Sequence, residues 1–149
     1  MATLALLRLA AITGRNDFKS AAEATLRLFA ARMESFPQAV PHMLAALDFW
    51  LEEPQRVVVT GDPKLFLFDL ENSKAENALA LLRAAHSVYQ PNKIVLGNTG
   101  AVEEFARSLP TNAVATAYLC TGNACQPPTS DAATLTAMLR EKTHARPKS

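Results

Sequence analysis

The sequence predicts an α/β protein in which helices come first and a small three-stranded, mainly parallel α/β unit follows. Three observations carry that expectation. Residues 1–52 place apolar side chains at three- and four-residue spacing, with no β-branched run of strand length. At residue 55 the texture changes to Arg56-Val57-Val58-Val59-Thr60. From there short β-branched runs alternate with helix-length segments and turn residues. Alternation of this kind favours parallel strands joined by right-handed crossovers.

The opening segment is apolar up to Ile12 and breaks at Gly14, a natural left-handed helix stop. Asp17 is a plausible N-cap for the next helix. Phe18, Ala22, Leu26, Phe29 and Met33 line one face of that helix. Pro37 and Pro41 interrupt the chain, and Pro41 suits a first helical turn, where its missing N–H costs little. Met43, Leu44, Leu47, Trp50 and Leu51 form the apolar stripe of the third helix, which Pro54 ends. Short links imply that these helices are neighbours.

Residues 56–60 read as a strand closed by Gly61-Asp62-Pro63. The LFLF of residues 65–68 fits either a buried short strand or an apolar lead into a helix. Ser73 with Glu76 makes a capping box, so a helix starts there, with Leu79, Leu82, His86 and Tyr89 on one face. Pro91 stops it and residues 93–97 form a second strand. A short helix at about 101–109 turns Val102, Phe105, Ala106 and Leu109 inward, by helical spacing. Val114 to Cys120 is a third strand, and Asp131 caps a last helix whose apolar face is Leu135, Met138 and Leu139. The division expected is a helical segment at 1–54, an α/β subdomain at 55–142 and a basic tail at 143–149.

Composition narrows the function classes. The chain has 149 residues, 49% apolar and 19% charged, with a formal net charge of +1. No global field steers it toward nucleic acid, membrane or acidic ligands. Arg140, Lys142, Arg146 and Lys148 make the end mildly basic, which reads as a solvated terminus. No apolar run approaches the roughly 18 residues of a membrane span. The start, MATLALLRLAAITG, superficially resembles a signal peptide, but it lacks a basic leading region and carries Arg8 inside the apolar stretch. A mitochondrial presequence is the weaker alternative, the first acidic residue being Asp17. The segment is read as a helix of the mature protein, and the compartment expected is cytoplasmic and reducing.

Several stretches carry a resemblance. HSVYQPNKIVL at 86–96, ATAYLCTGNACQPPTSD at 115–131, PHMLAALDFWL at 41–51 and VVVTGD at 57–62 are involved, together with LLRLAAITGRNDFKSAAEATLRLFA before them. In this order they resemble the C-terminal end of the spermatogenesis-associated, thioredoxin-domain proteins and their bacterial YyaL-type relatives. The resemblance covers nearly the whole chain up to about residue 142, and its specificity lies in the collinear order. It implies a parent several times longer, with an N-terminal thioredoxin-like domain carrying a CxxC-type motif. A helical toroid follows, similar to sugar-epimerase and six-hairpin glycosidase folds, and then a small α/β end piece. This chain has no CxxC. On the resemblance it holds the last helices of an α/α toroid and the α/β end. It looks like a C-terminal fragment, a split gene product or a truncated paralogue.

The candidate sites are weighed residue by residue. Cys120 and Cys125 are the only cysteines. Their CxxxxC spacing is not the CxxC in which a helix N-terminus lowers a thiol pKa. Gly122-Asn123 between them is a turn signal, so the pair faces across a hairpin as thiols, as a reversible disulfide or, least favoured, as part of a metal site. A reducing compartment favours thiols. His42, in the first turn of the third helix, fits a polar helix start or, in a toroid, a sugar contact. Asp48 and Glu52 sit four apart beside Glu53, an arrangement that suits acid–base work as well as a solvated face or a pairing with Arg56. His86 reads as a packed or hydrogen-bonded residue at the core edge. Gly61 and Asp62, and Gly97-Asn98-Thr99-Gly100, follow strands at the end where open α/β sheets bind ligands. The second loop lacks GxGxxG and the P-loop lysine, and reads best as a plain turn with Thr99 as a cap.

The function expected is a non-catalytic C-terminal module that completes a helical toroid and mediates packing, without cofactor or metal. Its partners would be the missing thioredoxin-like and toroid portion or a second copy, with no nucleic acid and no membrane. An epimerase- or glycosidase-like enzyme using His42 or Asp48, and a thiol redox accessory using Cys120 and Cys125, are the alternatives.

Overall fold

A computed structural model describes residues 1–61 and 73–144. The LFLF stretch, Asp62 and the last five residues lie outside the described residues. Three helices open the chain: α1 (Ala2–Thr13), α2 (Asn16–Ser35) and α3 (Pro41–Leu51). Gly14 ends α1 in the left-handed region (φ 72°), its N–H reaching the Ala10 carbonyl at 2.8 Å. Asp17 lies inside the first turn of α2, after an uncapped start at Arg15, and its carboxylate pairs with the Arg15 guanidinium. Pro41 opens α3.

Strand β1 (Gln55–Thr60) follows, then α4 (Ser73–Ser87), β2 (Ile94–Gly97), the short α5 (Glu104–Ser108), β3 (Thr116–Thr121), β4 (Ala124–Cys125) and α6 (Ala132–His144). The sheet order is β2-β1-β3-β4. Only β1 and β2 are parallel, across the crossover that α4 provides. β3 runs antiparallel to β1 and pairs with β4 through a hairpin. The mainly parallel, three-stranded expectation is therefore corrected to a four-stranded mixed sheet. The register gives the reason. Val59 pairs with Gly97 on one side and Thr60 with Thr116 on the other. The chain thus leaves β2 and enters β3 at the same end of the sheet. Residues 98–115 go out along the sheet and come back, so β3 must run the other way.

Side chains alternate across the sheet and fill two cores. Val58, Ile94, Leu96, Tyr118 and Cys120 share one core with Leu7 of α1, Leu26 of α2, Phe49 of α3 and Ala106 of α5. Val57, Val59, Ala117 and Leu119 face α4 and α6, meeting Leu81, Ala85, Leu135 and Leu139. The first three helices do cover one face of the sheet. Val57, Val58 and Val59 are buried on both sides, the pattern of a central strand.

One helical stripe is rotated from expectation. In α4 the buried residues are Ala78, Leu81, Ala84 and Ala85, while His86 and Tyr89 are exposed. Its small alanines surround the fully buried Leu81 and let the backbone approach its neighbours. In α3 the expected Met43, Leu44, Leu47 and Trp50 pack against the core beside the buried Ala46 and Phe49, and of the expected stripe Leu51 is exposed. In α6 the face is as expected: Leu135 and Leu139 are fully buried, and Asp131 caps it by accepting from the Thr134 N–H and hydroxyl at 2.7 Å each.

Candidate functional site

Two clefts open at the N-terminal ends of the parallel strands. The first, about 500 Å³, lies between the α1–α2 turn, the end of α3 and the start of β1; Lys19, Trp50, Glu53, Arg56 and Glu103 are among its walls. A charged residue begins the apolar run of β1 here, and the structure encloses it. Arg56 is buried. Its guanidinium donates to the Glu103 carboxylate and to the Gly122 carbonyl, and lies 5.3 Å from the Phe105 ring centroid. Burial pushes the guanidinium below its ordinary pKa, and Glu53 opposes that shift. The Glu103 backbone N–H donates to the Ile12 carbonyl at 2.8 Å, so the same residue ties the sheet side to the end of α1.

The second cleft, about 590 Å³, is lined by Arg8, Asp48, His86, Tyr89, Asn92 and Lys93 among others. Several of its polar groups hold the fold. Asn92 Nδ2 donates to Asp48 Oδ2 at 2.8 Å and to Glu52 Oε2 at 3.2 Å. Arg8 donates to the Pro91 carbonyl at 2.6 Å. Lys93 Nζ donates to the Ala85 and Val88 carbonyls at the end of α4, a helix-end position that favours a cation. Burial lowers the Lys93 pKa.

Asp48 thus stands beside Glu52 as the spacing suggests, both bound to one amide. His86 shares the second cleft as an exposed side chain rather than a packed one. His42 is exposed in the first turn of α3 and lines neither cleft. Gly61 is buried just past β1. Gly97 ends β2, Asn98 Nδ2 donates to Thr111 Oγ1 at 2.8 Å, and Thr99 and Gly100 are exposed. The helix after this loop starts at Glu104 with Glu103 as its N-cap residue, so Thr99 caps nothing and the loop meets no helix N-terminus. Both loops lie at the sheet end opposite the two clefts.

Cys120 and Cys125 are joined in a disulfide, where the compartment argument favours thiols. They pair directly across β3 and β4, with Cα atoms 4.0 Å apart. The Gln126 N–H donates to the Leu119 carbonyl, which makes 120/125 a non-hydrogen-bonded pair, the kind that brings side chains closest. Of the two central turn residues only Gly122 has positive φ, +56°, the φ pattern of a II′ hairpin.

No family model matches this chain, and no solved structure matches it. A curated protein of several mammals is similar. The human spermatogenesis-associated protein 20 (Homo sapiens) is 32% identical over 142 residues, 90% of this chain but 17% of that protein. The rat protein (Rattus norvegicus) is 31% identical over 144 residues, 91% of this chain and 17% of its own length. The chain is homologous to one part of spermatogenesis-associated protein 20. It spans about a sixth of the length of the curated relatives it matches. Among the described residues, no helix is long and apolar enough to cross a membrane.

Sequence reasoning named Arg56 only as a neighbour for the carboxylates and did not single out Glu103. The available signal was an arginine opening an otherwise apolar central strand, since a charge carried into a core needs an opposite charge from elsewhere in the chain.

Proposed function

We propose that this chain is a non-catalytic packing module, equivalent to the C-terminal part of spermatogenesis-associated protein 20, whose α2–α3 face continues into further toroid-type helices. One observation carries the reading. Leu28 (79% exposed), Leu51 (73%), Phe36 (55%) and Phe29 (37%) are exposed on these helices and at the end of α2. Between α2 and α3 runs a groove of about 510 Å³ walled by Leu26, Met33, Leu44, Leu47 and Trp50. An apolar groove edged by charges, here Glu23, Arg27 and Glu34, with the exposed Leu51 in its wall, suits a contact site. The partner on this reading is the remaining helical and thioredoxin-like portion that the resemblance implies, and the compartment is the cytoplasm. Neither His42 nor Asp48 has a catalytic role in it.

Sedimentation of the isolated chain with a hydrophobic dye tests the proposal. Reversible self-association or dye binding is expected, both lost in Leu28→Glu/Leu51→Glu. A stable monomer that binds no dye would refute it.

A further inference from the structure

Arg56 and the disulfide share one row of the sheet. Ile94, Arg56, Cys120 and Cys125 pair in succession across β2, β1, β3 and β4. Directly paired residues point to the same face, with Cβ atoms about 4.5–5.5 Å apart. Arg56 is therefore the cross-strand neighbour of Cys120, and it also holds the Gly122 carbonyl in the turn between the two cysteines. The two sulfurs differ in access: Cys120 is fully buried, whereas Cys125 is an exposed residue on a two-residue edge strand.

We propose that Cys120–Cys125 is an exchangeable disulfide whose reductant is a dithiol, with Cys125 as the sulfur attacked and Cys120 as the leaving group beside Arg56. A thiolate of the dithiol attacks Cys125 Sγ in line with the S–S bond. That bond breaks, and its electron pair leaves on Cys120 Sγ as a thiolate. A guanidinium alongside lowers the pKa of this thiol, and a lower leaving-group pKa speeds exchange. The second thiol of the reductant then attacks its own sulfur in the mixed disulfide and expels the Cys125 thiolate. The protein gains two electrons and two protons, and the dithiol becomes a disulfide. With the cross-link gone, the β3–β4 hairpin is held chiefly by its short ladder and by Arg56 on Gly122, so the turn loosens first.

Two measurements on the full chain test the proposal. In the first, the native protein is treated with glutathione and the mixed disulfide is trapped by acid and mapped by peptide mass. The adduct is expected on Cys125; an adduct on Cys120 overturns the assignment. In the second, the rate of reduction by dithiothreitol is followed in native buffer. Arg56→Met is expected to slow it about tenfold, because a leaving thiol without its neighbouring cation leaves more slowly. Arg56→Lys, which keeps the charge, is expected to restore most of the rate. Equal rates in the three proteins, or reduction that proceeds only as fast as global unfolding, would overturn it. The adduct position is read on the unaltered chain, so the test does not depend on Arg56→Met folding.

Discussion

Replacing Glu103 by Gln is the sharpest probe of how the helical layer is held on the sheet. The Glu103 carboxylate accepts from the Arg56 guanidinium, and their side chains are 18% and 10% exposed. Removing one member of a buried pair leaves the other charged and desolvated, at a cost of about 3–5 kcal/mol. Two features lower that figure here. Arg56 keeps the Gly122 carbonyl and the field of Glu53, and Glu103 is not fully buried. The expected loss is about 2–3 kcal/mol, or roughly 5–10 °C in Tm for a chain of this size. Arg56→Met and the double variant complete a cycle in urea denaturation. Because Glu103 anchors to Ile12 through its backbone, that contact survives all three substitutions and drops out of the coupling. A coupling energy above about 1 kcal/mol is expected. A value below about 0.5 kcal/mol would refute the argument that the pair works as a buried clamp.

Gly122→Ala must hold an L-residue at φ +56° with its Cβ 2.6 Å from Glu53 Oε1, so it is expected to cost about 1–2 kcal/mol in denaturant melts; Gly100→Ala, with positive φ but open space, isolates the backbone share. Asn92→Ala removes the donor shared by Asp48 and Glu52 and is expected to lose about 1–2 kcal/mol by the same assay. The Thr134 hydroxyl and N–H hold the Asp131 carboxyl below its ordinary pKa, so its contribution is present above the unfolded-state value and lost as pH falls through the folded-state one. Asp131→Ala should therefore lower Tm at neutral pH and leave it unchanged at pH below both values, as thermal melts across the acid range would show. Leu26→Ala at 5% exposure should cost about 2–4 kcal/mol, whereas Leu28→Ala at 79% should be nearly neutral in the monomer and weaken only self-association.

Elements with strong local signals were readable from the sequence. Gly14 ends a helix because only glycine adopts φ 72° cheaply, and Asp131 opens one because its carboxylate meets the first-turn donors. The three strands expected all occur, since β-branched runs closed by turn residues have few other uses. The direction of β3 was not readable. Strand direction depends on where a connection re-enters the sheet, and residues 98–115 encode a return to their starting end only through tertiary contacts such as Glu103 on Ile12 and Tyr118 Oη on the Pro110 carbonyl. The stripe of α4 was misjudged for a related reason. Leucine and aromatic positions dominate a sequence pattern, but in α4 Ala78, Ala84 and Ala85 share the buried face with Leu81, because close approach rewards small side chains.

The carboxylates beside Arg56 show the same limit at the level of a site. Asp48, Glu52 and Glu53 near a helix C-terminus stand where the dipole disfavours negative charge, so the sequence poses a choice between chemistry and partners. The fold supplies partners from far along the chain. Asn92 meets Asp48 and Glu52 across 44 and 40 residues, and Glu103 meets Arg56 across 47. Each contact joins the helical layer or its flanking loop to the sheet, and none was visible in local spacing. The same bonds tie the edges of the helical layer to the sheet. Val58, Ile94 and Leu96 share the core with that layer, while Leu28 and Leu51 stay exposed and, on the proposed reading, are the positions a neighbour would cover.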